Sequence, residues 1–368
     1  MSSGLLTGMR DAFTLMFRDG AVVSTMIGAA VLYSFFYPTP YRRQIRSQTP
    51  VAIVDLDRSP MSRGLVRNVL AVQGARIAAS VDSLDAAEAL MADGTARAIM
   101  IVTRDFERQI LRGEQGRVAL FGNGVLLGDA SNAFAGLADA IAATARQATV
   151  AQATFAGAPA APPFELVQRP LFNTREGYAS TVVPAVAVII VHQTVLLGIG
   201  ILAGTLRERY RTLTVARPRL FGIALAFCVI ATTSLLYYAG FVFWFQDYPR
   251  GGNGVGVIVA GGLFVASVVA LGLFVGSFFD ARERALQTIV VLSIPMFFLA
   301  NVSWPATSTP AALLWLARLL PTTAGINAMI KFNQMGARLG EARPELINLA
   351  VLVVLYGSLT LVRYRSHP

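Results

Sequence analysis

Side chains that commonly serve as nucleophiles, bases or soft metal ligands are scarce in this sequence. It has two His and one Cys in 368 residues, and Lys331 is its one lysine. A phosphate-binding P-loop needs Gly-Lys followed by Ser or Thr, so that the ammonium reaches the phosphates. Lys331 lies between Ile330 and Phe332, so the chain has no such loop. His192 and His367 are far apart and have no Cys companion, which leaves no zinc site of the usual spacing. No Gly-x-Ser-x-Gly nucleophile elbow occurs. Asp55 and Asp57 have no third ligand nearby and read as turn-forming residues. Gly122-Asn123-Gly124 lacks phosphate-loop spacing and reads as a turn. The chain therefore carries no recognisable active site, and no cofactor or metal is expected on it.

His192, beside Gln193, is the one group titrating near neutral pH that lies inside an apolar stretch. A His in such a place is a functional candidate by default. With no carboxylate in these stretches, a hydrogen bond to a neighbouring helix is the favoured role and a proton relay the other.

Six stretches, residues 21–37, 178–206, 220–245, 255–279, 286–300 and 346–362, contain no Asp, Glu, Lys or Arg. Crossing a bilayer core takes roughly 20 apolar residues per helix, so these read as spans. The shortest, 286–300, is expected to continue through residues 301–304. Composition agrees: 55% of residues are hydrophobic and 14% charged, and mean hydropathy is +0.57, against about 25% charged in soluble domains. The net charge of +10 then serves topology and anionic headgroups rather than nucleic acid. The lone Cys228 lies in a span and precludes an intrachain disulfide.

Arg placement sets the orientation. Arg207, Arg209, Arg211, Arg217 and Arg219 follow the second span, Arg282 and Arg284 the fourth, and Arg363 and Arg365 the last; Arg250 alone marks the loop after the third. The positive-inside tendency places the first three groups in the cytoplasm. Both termini are then inside and residues 49–172 outside. Arg42, Arg43 and Arg46, just outside the first span, run against this, but the short later loops agree with one another. The first span lacks a small-residue cleavage site and ends in Tyr33, Phe35, Phe36 and Tyr37, so it reads as an uncleaved anchor. Ahead of it, Leu5, Leu6, Met9, Phe13, Met16 and Phe17 recur at helical spacing, with Arg10, Asp11, Thr14 and Arg18 largely opposite. That pattern predicts an amphipathic helix at the inner membrane surface, acting as a positioning helix or as a docking surface for a cytoplasmic partner.

The inserted segment alternates strands and helices, the pattern of an α/β domain. Strand 51–54 leads through a turn into a helix over 61–72, with Ser59 as N-cap and Pro60 at the first helical position. A weak strand at 75–79 is followed by a helix from Ser83 through Met91, with Asp85 in its first turn. Strand 98–102 precedes a helix over 104–112 capped by Thr103, and strand 117–121 follows. An Ala-rich helix over 129–155 places Phe134, Leu137 and Ile141 on one face, and 157–163 is an Ala/Pro linker. Between Asn301 and Thr322, the residues Trp304, Pro305, Pro310, Trp315 and Pro321 predict short broken helices dipping into the outer leaflet.

The chain resembles the permease subunits of ABC-2 type exporters, in the subgroup with a large extracytoplasmic insertion after the first span. The resemblance runs through Val51-Ala52-Ile53-Val54-Asp55-Leu56-Asp57 with Ser59 and Ser62-Arg63, and through residues 97–113 and 169–173. It continues through Tyr248-Pro249-Arg250-Gly251, residues 296–305, Pro310, Leu320-Pro321-Thr322-Thr323 and Met335-Gly336-Ala337 with Leu339. Arg207-Glu208-Arg209 match the family's charged run after the second span, where Tyr210 replaces a second Glu; Ala300-Asn301 stands where Ser-Gly is common. The implied architecture is an α-helical membrane protein with six transmembrane helices, an N-terminal amphipathic interfacial helix, a re-entrant outer hairpin before the last span, and an inserted extracytoplasmic α/β domain. Its parts would be residues 1–19, 20–37, 38–177 and 178–368. The implied partners are a separate ABC ATPase carrying ATP and Mg, a second permease chain (identical or paralogous), the bilayer, and in some assemblies a periplasmic adaptor protein. The implied location is the bacterial inner membrane. The resemblance assigns ATPase coupling to Arg207, Glu208, Arg209 and Arg211, with Arg10 and Arg18 of the first helix. It assigns the exit hairpin to Asn301, Trp304, Pro305, Pro310 and Pro321. A lipid-like or amphiphilic substrate suits the apolar spans. The alternatives are a membrane-anchored envelope binding or assembly protein, and an ion-coupled carrier using His192.

Overall fold

The computed structural model describes residues 2–41, 48–72, 74–122, 127–155, 178–211, 214–300 and 309–364. The chain forms two compact units, Met1–Arg42 with Pro170–Pro368, and Arg43–Arg169.

The first unit opens with α1, Ser2–Arg18. Asp19 breaks it with an extended backbone and caps the next helix, accepting hydrogen bonds from the N–H groups of Ala21 (3.0 Å) and Val22 (3.3 Å). One residue thus makes the 87° corner into α2, Gly20–Phe36, which is π-helical over Ser24–Gly28.

The second unit holds a four-stranded sheet in the order β2-β1-β3-β4, from β1 (Thr49–Asp55), β2 (Ala75–Val81), β3 (Ala98–Val102) and β4 (Val118–Gly122). β1 runs parallel to β2 and β3, while β4 is antiparallel to β3. The intervening helices are α3 (Pro60–Ala71), α4 (Leu84–Ala92) and α5 (Phe106–Leu111), and α6 (Leu127–Phe155) follows β4. α3 and α6 cover one face of the sheet through Leu65, Val69, Leu137 and Ala140, against Val51, Ile53, Met100 and Val102. α4 covers the other face over Ala52, Val54, Ile99 and Ile101. β3 is buried on both faces, which explains its unbroken apolar run Ala-Ile-Met-Ile-Val. Ser59 caps α3 as the sequence predicts, and Ser83, expected as the first residue of its helix, caps α4; each accepts a backbone N–H three residues on. Thr103 does not cap a helix. Its hydroxyl donates to the Arg117 carbonyl (2.9 Å) across the β3–β4 pair, and α5 begins two residues later than expected, after Asp105 in left-handed backbone (φ 60°).

The first unit resumes with α7 (Tyr178–Tyr210), α8 (Arg217–Phe245), α9 (Gly254–Gly276) and α10 (Arg282–Leu299). It ends with α11 (Ala311–Arg318), α12 (Pro321–Gln334) and α13 (Leu339–Arg363). Among the described residues, four helices are long and apolar enough to cross a membrane, or six if each of two sharply bent pairs counts as one. α10 begins with Arg282-Glu283-Arg284, and only its remainder is apolar. It ends at Leu299, so the expected extension through 301–304 lies outside the described residues. α7 is the central post, buried through most of its length, and is apolar on all sides as a wholly enclosed helix must be. α10 and α13 turn residues such as Val291, Ile294, Val351 and Val354 outward. Interhelical hydrogen bonds fix α2 against α8: Tyr238 donates to the Ala30 carbonyl (2.6 Å), and Ser34 pairs with Tyr237 (2.9 Å).

Candidate functional site

One group of charged side chains of the first unit gathers at an end of its helix bundle. Arg207, in the last turn of α7, lies 3.7 Å from Asp280, and Arg284 approaches the other Asp280 oxygen at 3.4 Å. Arg282 reaches Asp19 at the α1–α2 corner (3.6 Å). Arg219, at the start of α8, pairs with Asp11 of α1 (2.7 Å). A basic residue at a helix C-terminus also complements the helix dipole. Glu208, Arg209 and Arg211 are exposed beyond Arg207, with the Arg209 guanidinium 5.5 Å from the Tyr210 ring centre. Arg211 ends the helix in left-handed backbone (φ 58°). Arg10 and Arg18 are exposed on α1. The structure therefore ties Arg207 into the bundle and leaves Glu208, Arg209, Arg211, Arg10 and Arg18 projecting from it.

α1 owes its position to glycine. A Cβ on Gly8 would lie 2.9 Å from the Arg219 carbonyl carbon, and one on Gly222 would overlap the Leu5 carbonyl oxygen. Gly4 faces Pro218 at 3.2 Å. Two helix backbones thus cross in close contact, the arrangement that Gly-x-x-x-Gly permits. Here Gly4 and Gly8 supply that spacing, a signal the apolar periodicity masked. The helix has three faces. Gly8, Ala12 and Met16 pack inward; Leu6 (63% exposed) and Phe17 (59%) form an apolar strip beside Phe13; Arg10, Thr14 and Arg18 form a polar edge. The sequence places Met16 on the membrane-facing side, but it is 1% exposed within the bundle.

A second broken element is the pair α11–α12, bent by 82°. Pro310 precedes α11, and Pro321 opens α12, where the missing N–H costs nothing. The free carbonyls where α11 stops need donors if they are to sit in an apolar phase. α13 supplies them: Asn348 donates to the Arg318 carbonyl (3.1 Å) and Tyr356 to that of Leu319 (2.7 Å). Thr323 ties α12 to the end of α10 by donating to the Leu299 carbonyl (3.0 Å). Asn301, Trp304 and Pro305 lie outside the described residues.

His192 is fully buried on α7, and both ring nitrogens lack a hydrogen-bond partner among the described residues. The interhelical hydrogen bond favoured from sequence comes instead from Gln193, whose amide contacts the Met296 sulfur of α10 (3.4 Å). Asp55 organises its own turn, and Asp57 reaches across to the start of α5. Asp55 accepts the N–H groups of Asp57 and Arg58 and the Ser62 hydroxyl, and Asp57 accepts the N–H of Glu107. A cleft between α7, α8 and α12, lined by Pro184, Val188, Tyr238, Phe243, Met329 and Asn333, has about 10 Å³ of open space, enough for about one water. Among the described residues, no group of three His, Cys, Asp or Glu side chains could hold a metal ion.

A family model described as an ABC-2 family transporter protein matches residues 21–362, most of the chain. The chain belongs to the ABC-2 transporter family. No individual curated protein matches it. It is accordingly a multi-pass membrane protein and a permease subunit of an ABC transporter. ABC-2 permeases are normally the non-enzymatic membrane partner of a separate ATPase chain.

Proposed function

We propose that this permease exports a lipid-like or amphiphilic substrate, driven by ATP hydrolysed on a separate subunit. The observation that carries the reading is the exposure of Glu208, Arg209 and Arg211 at the end of α7, at the pole where the α1–α8 glycine crossing and three ion pairs bind the helices together. The ATPase docks on Glu208, Arg209 and Arg211 with Arg10 and Arg18, and its closure displaces α1 and the end of α7. The six spans are α2, α7, α8, α9, α10 and α13, with both termini in the cytoplasm of a bacterial inner membrane. α1 lies at the inner surface with Leu6 and Phe17 in lipid, and the α11–α12 pair is a re-entrant outer hairpin. Two permease chains form the pathway. The α/β unit faces the periplasm, where it extends the exit or receives an adaptor. The supports are the family match, the Arg-rich inner loops and the carbonyl-capped hairpin break.

The experiment is purification of the intact complex, followed by ATPase assay in vesicles. A stoichiometric partner with a P-loop is expected. Glu208→Ala and Arg209→Glu are expected to leave the partner's intrinsic hydrolysis and abolish its stimulation by the permease. Full stimulation in both variants would remove α7's end from the coupling role.

A further inference from the structure

The turn between α9 and α10, residues 277–281, and the first residue of α10 are tied to α7 and to the α1–α2 corner. Asp280 joins Arg207 of α7 (3.7 Å) and Arg284 of α10 (3.4 Å). Two residues beyond it, Arg282 meets Asp19, the single residue that turns α1 into α2. Gly204 of α7 presses on the same backbone, where a Cβ would lie 2.6 Å from the Ala281 carbonyl carbon and from the Arg282 nitrogen. Half-exposed ion pairs of this length add little to the stability of a fold. From the turn, α10 runs along α7, with Ile289 and Ala285 at 2.9 and 3.2 Å from where a Gly200 Cβ would be. At its far end the Leu299 carbonyl accepts the Thr323 hydroxyl of the hairpin (3.0 Å).

We propose that residues 277–284 form a clasp that makes the end of α7, the α1–α2 corner and the base of α10 move as one block. Asp280 is the positioning residue for coupling. This rests on the coupling role proposed above and deepens it. Displacement of α7's end pulls α10 through Asp280 and Gly204, and α10 moves the α11–α12 hairpin through Leu299 and Thr323. A bundle lacking the clasp would let α7 slide past α10, and nucleotide binding would not reach the hairpin.

The test uses the permease–ATPase complex in vesicles, with Cys228→Ser and a bimane fluorophore on Met335→Cys, an exposed position just beyond α12. Trapping with ATP and orthovanadate is expected to shift bimane emission in the parent protein and in Asp280→Glu, which keeps the carboxylate. Asp280→Asn is expected to lose the shift while keeping ATP hydrolysis and the parent's melting temperature. Gly204→Ala, which lifts α7 off the turn without altering a charge, is expected to lose it too. A shift that persists in Asp280→Asn and Gly204→Ala overturns the clasp and leaves the coupling reading standing. A lower melting temperature in Asp280→Asn than in Asp280→Glu makes the pair a structural tie and also overturns the clasp. Absence of the shift in the parent protein overturns both readings.

Discussion

Gly222→Ala tests the α1–α8 crossing directly. The new methyl would overlap the Leu5 carbonyl oxygen and lie 2.8 Å from the Met9 nitrogen and 3.1 Å from the Gly8 carbonyl carbon. Ordinary carbon contacts lie at about 3.5–4.0 Å, so α1 must retreat by about 1 Å. The Arg219–Asp11 pair, now at 2.7 Å, would then stretch beyond the range of a hydrogen bond. Overpacking costs about 1–3 kcal/mol. The partly exposed pair adds about 0.2–1 kcal/mol at most. The expected loss is therefore about 1–4 kcal/mol, read as a lower melting temperature in detergent and weaker retention of the ATPase subunit.

Gly8→Ala demands the same retreat, because its methyl meets the Arg219 backbone. Once α1 has moved, the second methyl should cost little. The double variant is expected to lose less than the sum of the singles, with a coupling of about 0.5–3 kcal/mol. Gly262 is the control, since a Cβ there meets nothing within 4 Å. Gly262→Ala should be neutral or stabilising by up to about 1 kcal/mol through the unfolded chain. Wild-type melting of Gly222→Ala, or strict additivity with Gly8→Ala, would refute the close crossing and with it the placement of α1.

At the hairpin, Tyr356→Phe and Asn348→Leu each remove one donor to the α11 carbonyls. Each is expected to cost about 0.5–1.5 kcal/mol and to speed amide exchange in α11–α12 without changing exchange in α7. In the α/β unit, Leu137→Ala is expected to cost about 2–5 kcal/mol. There Ser59→Ala should cost about 1 kcal/mol. Both are measured by denaturant unfolding of a fragment covering residues 43–169. A fragment without a cooperative transition would show that its two apolar clusters do not suffice alone.

What the sequence shows clearly is whatever depends on local pattern. Charge-free runs mark the helices because an unpaired charge in lipid is expensive. Ser59 and Ser83 mark helix starts because a side-chain oxygen must satisfy a free N–H three residues on. Phe134, Leu137 and Ile141 share a face at helical spacing and meet in one core. Thr103 shows the limit of this reasoning. Its hydroxyl had two uses, a helix N–H and a carbonyl across the sheet, and the partner Arg117, 14 positions away, decided between them. The ties among Asp11 and Arg219, Asp19 and Arg282, and Arg207 and Asp280 join residues tens to hundreds of positions apart. The sequence puts Asp11 on the polar side of the first helix and Arg207, Arg219 and Arg282 in basic loops, and pairs none of them. The π-helical segments Ser24–Gly28, Tyr237–Val242 and Ile330–Gln334 leave no pattern at all, because one extra residue per turn alters no residue type.

α1 shows why amphipathicity alone misleads at a membrane surface. A helix lying on lipid and a helix packed on another helix both need an apolar face, so Leu5 to Phe17 cannot say which it is. Glycine separates the cases: lipid adapts to any side chain, and only a second backbone requires that a side chain be missing. Gly4 and Gly8 sit on the face that carries Ala12 and Met16, about a quarter-turn or more from the strip of Leu6, Phe13 and Phe17. One face is therefore fixed to α8 while the strip remains for lipid and the Arg edge for a partner. A helix held in this way by its own subunit moves with α8, so a load on Arg10 or Arg18 is delivered to the spans rather than absorbed in the headgroups.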